Sequence, residues 1–179
     1  TQFGALLLLV PLVRAAREDL SQPVVEAVVR ETTVGDAAAF YRAFDHVDVG
    51  VADPPADMDD LDVRRGSAAV PAVEERGLTL LEIMDRSVPG DGVAREWVHG
   101  FDRSFMTAKR LADADGPVSD RTASVFLSAL ADRPDTLVAT RHDQATAQEI
   151  TDRAKALVAA DALETNPAAV EAFADDLVE

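Results

Sequence analysis

Apolar residues recur at three- and four-residue steps through most of the chain, and the clearest run is Ala94, Val98, Phe101, Phe105, Ala108 and Ala112. At 3.6 residues per turn these form one stripe, widened by Trp97, which predicts a helix over 91–112 with that face in the core. Arg95, His99, Asp102 and Arg103 fall on the opposite side. Asp91 stands at the amino end, where a carboxylate caps free N–H groups and is favoured by the helix dipole. Asp91, Arg95 and His99 are spaced i, i+4 and i+8, so an acid, an arginine and a histidine share one ridge.

The same reading extends to the rest of the chain. Residues 3–17 form an almost wholly apolar helix with Pro11 inside it, predicted as a buried, kinked central helix. Ser21 caps a helix through Val24, Val25, Val28 and Val29, and Asp36 caps another that puts Ala37, Phe40, Tyr41, Phe44 and Val47 on one face. Between Val49 and Gly66 the period disappears into a long acidic loop. Its aspartates do not make a calcium loop, because the sixth and twelfth places counted from Asp57 hold Asp62 and Ala68 rather than glycine and glutamate. Leu78–Met84 is short enough to pass for a strand, but its Leu, Glu and Met content and Thr79 cap favour helix. Ser119 caps a helix with Ala123, Phe126, Leu127 and Leu130 inward, and Pro134–Asp143 follows without a clear period. Ala147, Ile150, Ala154, Leu157 and Val158 mark the next helix, and Asn166-Pro167 opens the last, with Val170, Phe173, Ala174 and Leu177 inward. The sum is an all-α fold: one domain over 1–179, a bundle of about eight helices around a buried central helix.

Charge narrows the partners. Against 33 acidic residues stand 17 basic ones, a formal charge of −16. Such a surface is repelled by nucleic-acid backbones and anionic membranes, so neither is an expected partner. Abundant Asp and Ala with scarce Lys resemble the cytosolic proteins of salt-loving microbes. The chain has no cysteine, which removes disulfides and thiolate zinc sites and makes a reducing cytoplasm the expected location. The apolar run Leu6–Val13 is too short for a bilayer span.

Generic catalytic motifs are missing: there is no phosphate-binding glycine loop, no Gly-x-Ser-x-Gly elbow and no metalloprotease spacing among His46, His99 and His142. Asp59-Asp60 lacks the third aspartate of the prenyl-synthase pattern, since Val63 stands in its place. Four stretches, taken in order, nevertheless resemble the triphosphoribosyl-dephospho-coenzyme A synthase family. These are Thr1-Gln2-Phe3-Gly4 with Leu7–Leu12; Asp62-Val63 with Thr79–Met84; Asp91-Gly92-Val93-Ala94-Arg95-Glu96-Trp97 with Gly100-Phe101; and Pro134–Ala139 with Arg141-His142. Departures accompany them. Gly90 and Thr140 replace family arginines, Arg141 a lysine and Asp143 a glycine, and the family's glycine-rich turn near Asp48–Asp53 is reduced to Val49-Gly50-Val51. The family's opening third lies upstream of Thr1, so the chain is expected to be the C-terminal part of a longer family domain.

The resemblance implies an all-α, ATP-dependent transferase. In the family reaction the 2′-hydroxyl of dephospho-coenzyme A displaces adenine from C1 of the ATP ribose. Such chemistry needs a base, cations for the triphosphate and an acid for the leaving adenine. The residues matched to family motifs imply phosphate or ATP binding by Arg95, Arg141 and Gln2, magnesium or base function at Asp91 and Asp135, and proton transfer or phosphate contact at His142. Glu96 is read as a structural partner of an arginine, and Trp97 and Phe101 as core rather than an adenine platform. Two alternatives stay open: a non-catalytic descendant that binds a nucleotide or a protein partner, and a related transferase with a different acceptor. The sequence leaves the oligomeric state open.

Overall fold

The computed structural model describes residues 2–47, 50, 51, 54, 58–88 and 90–177. It is all-α, with helices α1 (Phe3–Ala15), α2 (Gln22–Arg30), α3 (Val34–Ala43), α4 (Val70–Arg76), α5 (Leu80–Ser87), α6 (Gly92–Val98), α7 (Asp102–Asp113), α8 (Val118–Asp132), α9 (Thr136–Arg141), α10 (Gln144–Ala159), α11 (Ala162–Thr165) and α12 (Pro167–Asp176). No strand occurs among the described residues. Among the described residues twelve α-helices stand where about eight are expected. The chain forms two compact units, Thr1–Phe105 and Met106–Glu179. The calcium count from Asp57 and the reduced turn at Asp48–Asp53 fall wholly or partly outside the described residues, as does Thr1.

In the first unit the core is built from Val25 and Val29 of α2, Ala37 and Tyr41 of α3, Val73 of α4, Ile83 of α5, Ala94 and Trp97 of α6, and Phe101. Local chemistry sets the ends of several helices. Thr79 caps the start of α5 as the sequence predicts, and Glu82 answers by capping the Thr79 N–H, which together satisfy two otherwise orphaned N–H groups. At α3 the cap is Thr33, and Asp36 answers it from the third helical position, so the cap lies three residues before the one predicted. Tyr41 carries its hydroxyl into the core and donates it to the Leu61 carbonyl at 2.6 Å. The acidic stretch ends in 3₁₀ turns at Asp59–Leu61 and Val63–Ala69. Gly66 sits there at φ +53°, and a Cβ would meet the Asp45 carboxylate at 1.8 Å. Only glycine allows Asp45 to approach this closely and take the Ser67 N–H at 3.0 Å.

Two expectations about this unit are corrected. The apolar run 3–15 is helical but not enclosed, since only Pro11 and Ala15 are buried. Packing against α2 and α6 covers one side of it. The predicted 91–112 helix is two helices. Gly100 and Phe101 both take φ +61°, and the Phe101 N–H returns to the Glu96 carbonyl at 2.7 Å. This left-handed ending at glycine is a common helix stop. Beyond the break α7 has no buried residue, and Ala108 and Ala112 are exposed where the stripe predicts them buried.

The second unit packs Leu127 of α8, Ala154 of α10 and Phe173 of α12 into a small core of its own. Asn166 and Pro167 start α12 as predicted. Helix α8 begins at Val118 rather than behind Ser119, and Phe126, predicted inward, is exposed. The segment without a clear period contains α9, announced by Asp135 as its cap.

Titration sets the pH limits of this fold. Among the described residues five carboxyls are held below their ordinary values by hydrogen bonds: Asp36 by the Thr33 hydroxyl, Asp45 by the Ser67 hydroxyl, Asp62 by the Arg64 side chain, Glu82 by the Thr79 N–H and Asp143 by the Thr146 N–H. A depressed folded pKa contributes stability above the unfolded value that is lost as pH falls through the folded one. Tyr41 behaves oppositely: burial, then the charges of Asp62 and Asp60, push it from 10.0 up to about 12. Its contribution is complete below pH 10.0 and is lost as pH rises towards about 12. Thermal unfolding followed by circular dichroism should therefore give a plateau at intermediate pH. The midpoint should fall on the acid side below about pH 4.5, and on the alkaline side above about pH 10 in wild type but less in Tyr41→Phe.

Candidate functional site

Helix α6 lies alongside α1 and runs in the same direction, because Gly4 faces Val93 and the Trp97 indole N–H donates to the Leu7 carbonyl at 3.1 Å. That carbonyl is the one Pro11 leaves without its helical N–H donor, since proline at i+4 has none. Trp97 thus repairs the defect that proline creates. A Cβ on Gly4 would stand 3.6 Å from Val93, in ordinary van der Waals contact, so the two helices already lie side by side here. The parallel arrangement sets the amino ends of α1 and α6 on the same side of the unit, bringing Gln2 and Asp91 to one end.

At that end Asp91 is exposed and caps α6, its Oδ1 accepting the N–H groups of Val93 at 2.7 Å and Ala94 at 3.1 Å. Gln2 is also exposed, and its side chain makes no cap bond to α1. Arg95 is one turn further along, with a side chain 28% exposed; its Nη1 lies 3.4 Å from Asp102 Oδ1 and 3.8 Å from Glu96 Oε1. The guanidinium is therefore held between two carboxylates, one of them on the far side of the helix break. His99 ends α6 and is exposed. Trp97 and Phe101 are buried at 4% and 0%, in keeping with their reading as core.

Glu96 is the residue whose role the sequence understates. It is only 7% exposed, and its Oε2 accepts both the N–H of Ser104 at 3.0 Å and the Ser104 hydroxyl at 2.6 Å. The carboxylate at the end of α6 thereby caps the first turn of α7 and fastens the two helices across the break. A signal for this exists in the Glu96–Gly100–Ser104 spacing, a stop glycine with an acid before it and a hydroxyl after it.

In the second unit Asp135, Arg141 and His142 belong to one short helix. Asp135 caps α9 as Asp91 caps α6: its Oδ1 accepts from Leu137 at 2.7 Å and Val138 at 3.1 Å. Arg141 is the last residue of α9 and His142 its C-cap, and both side chains are exposed. Asp143 starts α10 by accepting the Thr146 N–H at 2.7 Å. Thr140, where the resemblance expects arginine, spends its hydroxyl on the Thr136 carbonyl at 2.8 Å.

The capping geometry limits what these aspartates can do for a metal. No group of three or more His, Asp or Glu side chains is arranged to hold a metal among the described residues. Asp91 and Asp135 each fit magnesium only as a single carboxylate ligand, the mode in which phosphate oxygens and water complete the octahedron. Among the described residues no helix is long and apolar enough to cross a membrane.

Comparison with known proteins gives one result. A family model, CitG, described as ATP:dephospho-CoA triphosphoribosyl transferase, matches residues 1–179. No curated protein matches, and no solved structure does.

Proposed function

The chain belongs to the ATP:dephospho-CoA triphosphoribosyl transferase family, a family of transferases acting on small molecules, and from this premise we propose that it moves the triphosphoribosyl group of ATP onto the 2′-hydroxyl of a dephospho-coenzyme A-like acceptor and releases adenine. The observation that carries the reading is the match over residues 1–179. The retained Asp91-x-x-x-Arg95-Glu96 and Pro134-Asp135-Thr136-Leu137 stretches support it, because in both the fold turns the aspartate into an exposed helix cap.

The proposed step forms a bond from the acceptor oxygen to C1 of the ribose and breaks the bond from C1 to N9 of adenine. The hydroxyl proton passes to a carboxylate, for which Asp135 is our choice, and adenine takes up a proton as it leaves, with His142 as its donor. Arg95 and Arg141 bind triphosphate oxygens, where the guanidinium fork suits two acceptors at once; Gln2 donates from the amino end of α1. Magnesium, held through Asp91 or Asp135, would supply charge neutralisation on the triphosphate. We place the reaction in the cytoplasm of a salt-adapted cell, where high ionic strength screens the protein's own negative charge.

The test is adenine release from ATP in high salt with magnesium, with and without dephospho-coenzyme A. Release that requires the acceptor supports the transferase. ATP binding without release for any acceptor favours the non-catalytic reading; no ATP binding sinks both.

The Arg95 geometry makes a further prediction of opposite sign to the usual loss of function. Asp102 competes with phosphate for the guanidinium at 3.4 Å. Asp102→Asn removes that competitor and keeps an amide that still accepts a hydrogen bond at the start of α7. ATP should bind severalfold more tightly to Asp102→Asn in a titration calorimeter, most clearly at low salt. Weaker binding would show that Asp102 orients Arg95 for phosphate rather than competing for it.

A further inference from the structure

Helix α1 leaves a face open that the reaction does not use. Leu6, Leu9, Val10 and Val13 are 56%, 52%, 62% and 64% exposed and fall at i, i+3, i+4 and i+7, one continuous stripe. Beside it runs a cleft of about 270 Å³ walled by Phe3, Leu7, Phe40 and Trp97 among others. The one acid at its edge, Asp36, is engaged with Thr33. The four exposed side chains alone present roughly 400 Å² of apolar surface, as much as the largest patch of a typical monomer.

Charge and symmetry indicate what covers it. Two chains of −16 repel each other, and contact is least opposed where no acid lies. Between Phe3 and Ala15 the only charged residue is Arg14. The spacing of the stripe, three, one and three, reads the same from either end about a midpoint between Leu9 and Val10. A two-fold axis through that midpoint sets Leu6 against Val13 of a second copy and Leu9 against its Val10, apolar against apolar along the whole helix. The two helix dipoles then run antiparallel. Together with the cleft walls, such a contact buries on the order of 1,000 Å² in total, the lower end for a specific interface. We propose that the open face of α1 pairs two copies of this chain, α1 against α1 in antiparallel.

Sedimentation equilibrium of the 179-residue chain tests this across the micromolar range. The mass should double with rising concentration, and added salt should favour the doubled species, since screening weakens the repulsion while the apolar contact is kept. Val10→Asp should remain monomeric with unchanged helical circular dichroism, because Val10 is 62% exposed and lies outside the buried core. The lack of cysteine lets single thiols report the register. Val10→Cys lies next to the axis and should cross-link on mild oxidation, whereas two copies of Leu6→Cys lie about 10 Å apart along the helices and should not. A chain that stays monomeric at every concentration overturns the proposal and leaves the stripe to another occupant. So does a dimer that survives Val10→Asp, or a Leu6→Cys cross-link as complete as that of Val10→Cys.

Discussion

Asp135→Asn should lower the rate of acceptor-dependent adenine release by roughly 10²–10⁴-fold, the range a positioned general base contributes, while ATP binding changes little. Asparagine is the informative replacement because of the fold. Asp135 accepts two backbone N–H groups at the start of α9, and asparagine caps as well as aspartate, so the helix is kept while the base is removed. Asp135→Ala removes both and should add a stability loss of about 1 kcal/mol. If Asp135→Asn releases adenine at the wild-type rate and only the alanine variant is impaired, the residue is a cap and the base lies elsewhere. The arginines should behave differently: Arg95→Ala or Arg141→Ala should weaken ATP binding by about 1.5–3 kcal/mol, the worth of a charge-assisted hydrogen bond, without unfolding the protein. Calorimetric titration beside single-turnover adenine release separates the two kinds of effect.

Trp97→Ala should cost about 3–5 kcal/mol of stability, the usual loss when a large buried aromatic is emptied. This is a large part of the 5–15 kcal/mol that holds a typical domain folded. The indole does two jobs: it fills space in the core of the first unit, and it donates to the Leu7 carbonyl that Pro11 leaves free. Trp97→Phe isolates the second job, keeping most of the ring but stranding the carbonyl, at about 1–3 kcal/mol. Pro11→Ala returns an N–H to the helix at the position that serves Leu7. In a Pro11→Ala background the Trp97→Phe loss should therefore shrink, and urea unfolding of the four proteins of that double-mutant cycle should show a coupling of 0.5 kcal/mol or more. Additive losses would mean that the bond contributes nothing beyond packing.

The arrangement around Trp97 shows where sequence reading succeeds and where it stops. Helix content, the Thr79 cap, the Asn166-Pro167 start, the cap at Asp91 and the family motifs were all legible, because each depends on groups within one or two turns of each other. Arg95's position on α6 was legible for the same reason. The helix break at Gly100 was overlooked although its glycine stood in plain view, because an apolar stripe running through Phe105 to Ala112 continued the period across it. Helix α9 was hidden for the opposite reason: six residues are too few to display a period, and only the cap at Asp135 betrayed it.

What the sequence by itself determined is therefore local: an all-α chain, several of its caps, its acidic surface and the motifs of a transferase family. The tertiary structure alone decided which side of α1 is covered, because a run apolar on every side has no face to prefer until α2 and α6 pack against it. It also decided that Trp97 serves a carbonyl ninety residues away, that Glu96 fastens Ser104 across a turn, and that Arg95 reaches Asp102 across the same break. Those contacts join groups that share no helical turn, and their energies arise only once chain closure has brought them together and removed the water between them.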